Sequence, residues 1–245
     1  MASLYPKAAR QGDSMTDGTG YKQFCPVSMA AEVICTRWTV VLLRELVAGS
    51  TRFNDIRRGV PKMSPSLLSK RLRDLESAGV VERRAVPGEG GVQEYLLTDA
   101  GRELRAVVES IGFWGQKWIE SSLSLKNLDP SLLMWDMRRN LNPAPLPRQR
   151  TVIQFLYPEL PASKRLWWLV VEPMGEVDLC WSDPGFDIDL YVTTDLRTMT
   201  AIWMGLTTVA HEAPRLTLDG DRGLCDTMQT WLGLSPFATG DRRRA

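Results

Sequence analysis

The chain has 245 residues, enough for one or two domains that each bury a core. Lys and Arg number 30 against 29 Asp and Glu, a net charge of +1, so the total implies no partner until it is divided by region. No segment reads as a signal peptide or a membrane span, and the four cysteines have no CxxC spacing; the chain is expected in the cytoplasm, not inserted in a membrane, with its thiols free.

Divided, the charge is uneven. Residues 22–118 carry 15 basic and 11 acidic side chains, residues 128–245 carry 12 and 15. The front half opens with a Gly-, Ser- and Thr-containing arm, residues 1–22, that has little to bury. Phe24-Cys25-Pro26 then starts a helix through about Ile34. A second helix spans Arg37–Val47 and sets Trp38, Val41, Leu42 and Leu46 largely on one face, with Trp38 read as core. Phe53–Arg58 reads as a short helix, and Gly59–Pro61 as a turn.

The next helix is the best specified. Ser64 is a good N-cap, its hydroxyl accepting a free backbone N–H. Pro65 sits where a missing N–H costs nothing, and Gly79 ends the helix in a left-handed conformation. At 100° per residue Leu68, Leu72 and Leu75 share one side. The other side carries Ser66, Lys70, Arg73 and Ser77, with Ser69 on its flank. Such a face suits a DNA major groove, where Ser reads bases or phosphates and Lys and Arg bind phosphate or guanine. It equally suits a solvated helix surface, and the neighbours decide. Val80–Val86 and Val92–Leu97 read as strands joined by Pro87–Gly91, a hairpin whose glycines allow the turn. A helix–turn–helix followed by a hairpin is a winged helix. Between Arg52 and Arg84 there are nine Lys and Arg against four Asp and Glu, which concentrates positive charge where a duplex would lie.

Thr98 caps a following helix, with Asp99 in its first turn. Leu104, Val107, Val108, Ile111, Trp114, Trp118 and Ile119 form a stripe longer than one small domain needs. Two readings stand: a dimer seam, as in proteins that bind two half-sites of a palindrome, or a face that docks the second domain.

CPV (Cys25–Val27), RWT (Arg37–Thr39), LLREL (Leu42–Leu46), the stretch Arg52–Arg83 and YLLTDAGREL (Tyr95–Leu104) together resemble HxlR-type winged-helix regulators, relatives of MarR. The resemblance runs from Phe24 to Trp118. It implies a homodimeric transcription factor that binds double-stranded palindromic DNA and dimerises through the terminal helices of a domain over residues 23–122. The residues expected at DNA are Arg52, Asn54, Ser64, Ser66, Ser69, Lys70, Arg73 and Arg84. In such regulators a cysteine before proline can sense oxidants or electrophiles. Cys25 fits locally, because a helix N-terminus stabilises a thiolate, and it fits a passive cap equally well. Cys25 and Cys35 lie at opposite ends of one helix, roughly 15 Å apart at 1.5 Å per residue, too far to bridge within one subunit.

Residues 123–150 read as a linker with one short helix near Leu132–Arg139. Beyond it, Thr151–Tyr157, Arg165–Glu172, Glu176–Trp181 and Ile188–Thr193 read as strands, with Ile188, Leu190 and Val192 inward. Asp195 caps a helix over Leu196–Met204, a short helix is expected near Leu206–His211, then a strand Leu216–Leu218 and a last helix Asp221–Leu232. The fold class is α+β: a winged helix-turn-helix domain, an α+β domain over residues 151–238, and a basic tail, 239–245, able to touch phosphates. Six of the nine tryptophans lie in the back half. They either pack or line a pocket for an apolar ligand.

By pattern, Gly175–Val209 and Leu216–Ala238 resemble a sterol-carrier-protein-type domain: a helix ending in WxG (Trp203–Gly205), a strand ending in GD (Gly220–Asp221) and a closing helix. The resemblance implies a hydrophobic small-molecule effector held by Trp181, Leu190, Met199, Trp203, Met228 and Trp231. Catalysis is not expected. His211 is the single histidine, there is no GxSxG, HExxH or GxxxxGKS motif, and neither metal nor cofactor is implied. Besides an effector-controlled regulator, two readings remain: a thiol sensor acting through Cys25, and a lipid carrier whose basic half attaches it to anionic surfaces.

Overall fold

The structure, a computed structural model, describes residues 20–119 and 125–238. The expected basic tail and most of the N-terminal arm lie outside the described residues, as do residues 120–122 at the end of the expected winged domain and 123–124 of the expected linker.

The front half runs α1 (Pro26–Ile34), α2 (Thr39–Val47), α3 (Phe53–Gly59), α4 (Pro65–Ser77), β1 (Val81–Ala85), β2 (Gln93–Leu97) and α5 (Asp99–Trp118). Helices α2, α3 and α4, the hairpin and the closing α5 make a winged helix–turn–helix, with α1 ahead of it. The Ser64 hydroxyl accepts the Leu67 N–H, and Gly79 has φ 71°. Leu68, Leu72 and Leu75 are buried and meet Leu42, Leu43, Leu46, Ile56 and Val81 in one core. β1 and β2 pair antiparallel, Val81 opposite Leu97 and Ala85 opposite Gln93. Thr98 accepts the Gly101 N–H, and its hydroxyl donates to the Gly79 carbonyl, which ties α5 to the end of α4. A Cβ on Gly101 would stand 2.1 Å from the Val80 carbonyl oxygen, so only glycine lets α5 cross so close.

α2 starts later than the sequence suggests. Trp38, at its N-cap, has φ 78°, a left-handed conformation uncommon for a bulky residue, and is half-buried against the core. Val41 points outward, 40% exposed, because the inward face of α2 is Leu42, Leu43, Leu46 and, unexpectedly, Glu45.

The back half begins with α6 (Pro130–Asn140). This helix is no linker: Leu133, Met134 and Met137 belong to the larger core. A five-stranded sheet follows in the order β5-β4-β3-β6-β7, made of β3 (Thr151–Leu156), β4 (Leu166–Val171), β5 (Val177–Cys180), β6 (Leu190–Thr193) and β7 (Thr217–Gly220). β3 and β6 are parallel and every other pair is antiparallel. α6, α7 (Leu196–Trp203) and the last helices pack Met137, Met199, Ile202, Met228 and Trp231 against Ile153, Phe155, Leu169 and Val192. Trp168 and Val170 alternate to the opposite face, as strand geometry requires. Ile188 joins that smaller cluster and precedes β6. No helix forms over 206–211; the segment is turns leading to a 3-10 turn at Ala213–Arg215. The last helix divides at Thr227 into α8 (Arg222–Asp226) and α9 (Met228–Leu232). Among the described residues no single helix is long and apolar enough to cross a membrane.

Candidate nucleic-acid interface and the domain junction

Burying the leucines of α4 turns its opposite face outward. Ser66, Lys70, Arg73 and Ser77 are exposed, and Ser69 lies half-exposed beside them. Lys70 and Arg73 make no hydrogen bond or ion pair among the described residues. Arg71, one residue away, does the opposite: its guanidinium holds Asp74 at 2.8 Å and donates to the Arg37 carbonyl at 3.3 Å, fixing α4 to the start of α2. The helix thus separates a structural arginine from two cations left open to a ligand.

The other expected DNA residues divide. Ser64 caps α4 and stands 3.2 Å from the Ser66 hydroxyl. Asn54 is exposed in the first turn of α3. Arg52 is bound through both terminal nitrogens by Glu89 of the wing, at 2.9 and 2.5 Å, so its charge anchors the wing to α3. The Glu89 bond, with that carboxylate's charge, raises the Arg52 pKa. Arg84 projects from β1 at 60% exposure with Glu82 at 2.5 Å. These surface pairs contribute little to folding, and phosphate can compete for them.

Cys25 is the N-cap of α1, and Cys35 is its C-cap. As a neutral thiol Cys25 makes no cap hydrogen bond. The helix-start N–H groups, of Ser28 first and Val27 second, favour its thiolate and lower its pKa from the ordinary value. Burial pushes Cys180 and Cys225 the other way. All four cysteines are free thiols.

The largest departure from the sequence reading is where the halves meet. Glu45 is fully buried. Its carboxylate accepts from Arg139 at 2.8 Å, Arg44 at 2.7 Å, Trp135 Nε1 at 3.2 Å and Ser50 at 3.2 Å. Arg139 and Trp135 come from α6, so a carboxylate of the winged domain is neutralised by the other domain. Burial alone would raise its pKa; the Arg139 hydrogen bond, the charges of Arg44 and Arg139 and the Trp135 bond outweigh that and lower it. Gly59 makes the space, since a Cβ there would stand 1.8 Å from the Glu45 carboxyl carbon. Beside it the Arg58 guanidinium of α3 lies 5.3 Å from the Trp135 ring and 4.9 Å from that of Trp181. None of Glu45, Arg58, Trp135 or Arg139 was expected as functional. The one local signal was a glutamate on the leucine face of LLREL.

The residues expected to line a ligand pocket divide. Leu190, Met199, Met228 and Trp231 have no exposure and pack in the core. Trp181 is 59% exposed and stacks on Arg58. Of the six, Trp203 alone reaches a cavity of about 900 Å3, and that cavity lies between the domains.

Such an arrangement, an open cationic recognition helix followed by a wing, defines a helix–turn–helix protein of the transcriptional-regulator class. A family model described as HxlR-like helix-turn-helix matches residues 33–123. YvaP of Bacillus subtilis, named as an uncharacterised HTH-type transcriptional regulator, is 36% identical over 101 residues, 41% of this chain and 94% of YvaP. YdeP of the same organism, named likewise, is 36% identical over 94 residues, 38% of this chain and 73% of YdeP. Among solved structures, the redox regulator HypR in its reduced form shares 34% identity over 38% of this chain and 91% of HypR, with a TM-score of 0.36. The chain belongs to the HxlR-like helix-turn-helix family and is an HxlR-type transcriptional regulator; residues beyond 123 lie outside the family match.

Proposed function

We propose that this regulator acts in the cytoplasm as a homodimer on palindromic operator DNA, laying α4 in the major groove with Ser66, Ser69, Lys70 and Arg73 toward base edges and phosphates. Ser64, Asn54 and Arg84 flank that face, and Arg52 sets the wing. The observation that carries the reading is the pair of unpartnered cations, Lys70 and Arg73, exposed on a helix whose other face is sealed in the core. Dimerisation is supported by the apolar side chains left outside on the terminal helices: Phe24 at 97%, Val27 at 76%, Ile111 at 46% and Trp114 at 61% exposure. Large apolar side chains left exposed in this number mark a candidate interaction surface. The test is selection of duplexes from a random pool by the purified protein, with mass measured on the complex. A palindromic consensus bound by two chains is the expected result; no enrichment, or one chain per site, would sink it.

The back half is proposed to bind the effector. Its order of elements, with a helix ending in Trp203-Met204-Gly205, a strand ending in Gly220-Asp221 and closing helices, supports a sterol-carrier-like architecture. The packed core moves the candidate site out of that domain's interior. A second reading has its own observation: the lowered pKa of Cys25 at a helix N-terminus is what a thiol sensor needs. Loss of oxidant response in Cys25→Ser, with operator affinity kept, would favour it; an unchanged response would remove it.

A further inference from the structure

The cavity between the two halves has walls from both. The winged domain contributes the end of α2, with Arg44, Val47 and Ala48, and one side of α5, with Arg105, Val108 and Phe113. The other half contributes α6, Trp203 and the segment Ser235–Phe237. Two junction contacts bracket it. At one end is the Glu45 cluster, whose Arg44 and Arg139 also line the cavity. At the other, Phe237 packs edge-on against Phe113, ring centres 5.5 Å apart. That ring sits where a Cβ on Gly112 would be, 2.3 Å from its nearest atom, so glycine in α5 is what lets it close.

The polar groups of the wall are mostly engaged. Arg139 and Arg44 hold Glu45. Arg105 donates to the Val47 carbonyl at 3.0 Å and faces Glu109 at 3.6 Å. Asp129 caps α6 through the Ser131 and Leu132 N–H groups. Two groups are exceptions: the Arg44 Nε, buried without a hydrogen-bond partner among the described residues, and Asp136. The Asp136 carboxylate makes no hydrogen bond among the described residues, and its one ion pair, with Arg139, is long at 3.7 Å. Its side chain keeps 27% exposure and is part of the cavity wall.

We propose that this interdomain cavity is the effector site, and that it takes a lipophilic amine or ammonium whose apolar body lies among Phe113, Trp203 and Phe237 and whose cationic head is accepted by Asp136. The inference deepens, and rests on, the reading of the chain as an effector-controlled regulator. An unsatisfied carboxylate in an apolar wall attracts a donor cation, and aromatic faces add attraction for the same charge. An anionic head would meet the carboxylates of Asp136, Glu109 and Asp129, while Arg139 and the Arg44 terminal nitrogen are held by Glu45 and the unpartnered Arg44 Nε is buried. The desolvation that pushes the Asp136 pKa to about 6 fits an acid awaiting a counter-ion. Arg44 and Arg139 face it as cations, Glu45 as an anion. A molecule wedged there touches α2 and α5 on one side and α6 on the other, so it favours whichever domain placement it fits better and shifts that equilibrium.

The test uses the full chain without DNA and three probes with one tail, n-decylammonium, n-decanol and n-decanoate, below their micelle concentrations, by calorimetry. Decylammonium should bind about tenfold or more tighter than decanol, the value of one charge-assisted hydrogen bond, and decanoate weakest. Asp136→Asn should reduce the ammonium preference to about twofold, and Ala48→Trp, an exposed wall position, should block all three probes. Wild-type affinity for the ammonium should fall about tenfold from pH 7 to pH 5 as Asp136 protonates, while decanol stays level; this holds even if a variant fails to fold. Tightest binding of decanoate, a preference that survives Asp136→Asn, a flat pH profile, or binding unchanged by Ala48→Trp would overturn the site. A protein that selects an operator but fails these probes loses this inference alone; one that selects no duplex loses the earlier reading.

Discussion

Two groups of charges show what this chain does with ionic side chains. On α4, Lys70 and Arg73 are exposed and have no partner among the described residues. At the junction, Glu45 is sealed from water and its four donors come from residues as distant as Arg139. An exposed charge loses little hydration and adds little to folding, so it remains available to a phosphate. A buried one has lost its hydration and depends wholly on its partners. The proposed recognition draws on the first kind, and the contact between the two halves on the second.

The comparison breaks most visibly at Glu45. Glu45→Ala strands Arg139 and Trp135 without their acceptor and should cost about 3–5 kcal/mol in urea unfolding; replacing Glu45 and Arg139 together by apolar residues should recover much of that. Arg73→Ala should weaken operator binding by about 1–3 kcal/mol while shifting stability by less than about 0.5 kcal/mol. Asp136 sharpens the contrast through pH. Its pKa rises on folding to about 6 from the ordinary aspartate value of 3.8, so the folded state holds the proton more tightly, and stability falls as pH climbs through that window. Asp136→Asn should flatten the decline and raise stability at pH 7 by about 1–3 kcal/mol. Glu45 has the opposite sign: its lowered pKa makes its contribution present above the ordinary glutamate range and lost as pH drops below it. The smallest effect is expected at Lys70, where Lys70→Ala should reduce the slope of log affinity against log salt by about 0.9, one phosphate contact.

What could be read beforehand follows the same division. α4 was legible because its cap, its leucine spacing and its terminal glycine lie within 16 residues of one another, Ser64 to Gly79. The wing was legible because a glycine-bearing turn joins adjacent strands. The parallel pairing of β3 with β6 was not, since it brings Ile153 to Leu190 across the sequence. The tryptophans left two readings open because composition counts apolar rings without saying whether they pack or line: Trp231 is sealed, Trp181 is outside and Trp203 borders the cavity. Glu45 was legible only as an anomaly, an acid at a leucine position, two of whose partners, Trp135 and Arg139, lie about 90 residues on.

The central claim is that the open face of α4 meets duplex DNA with sequence preference. Fluorescence anisotropy of the wild type and Arg73→Ala against a selected duplex and its scramble, over a range of salt, tests it most directly. The wild type should prefer the selected duplex by about a thousandfold or more, and Arg73→Ala should lose part of that preference. Equal affinity for both duplexes, or an Arg73→Ala curve that overlays the wild type, would contradict the account.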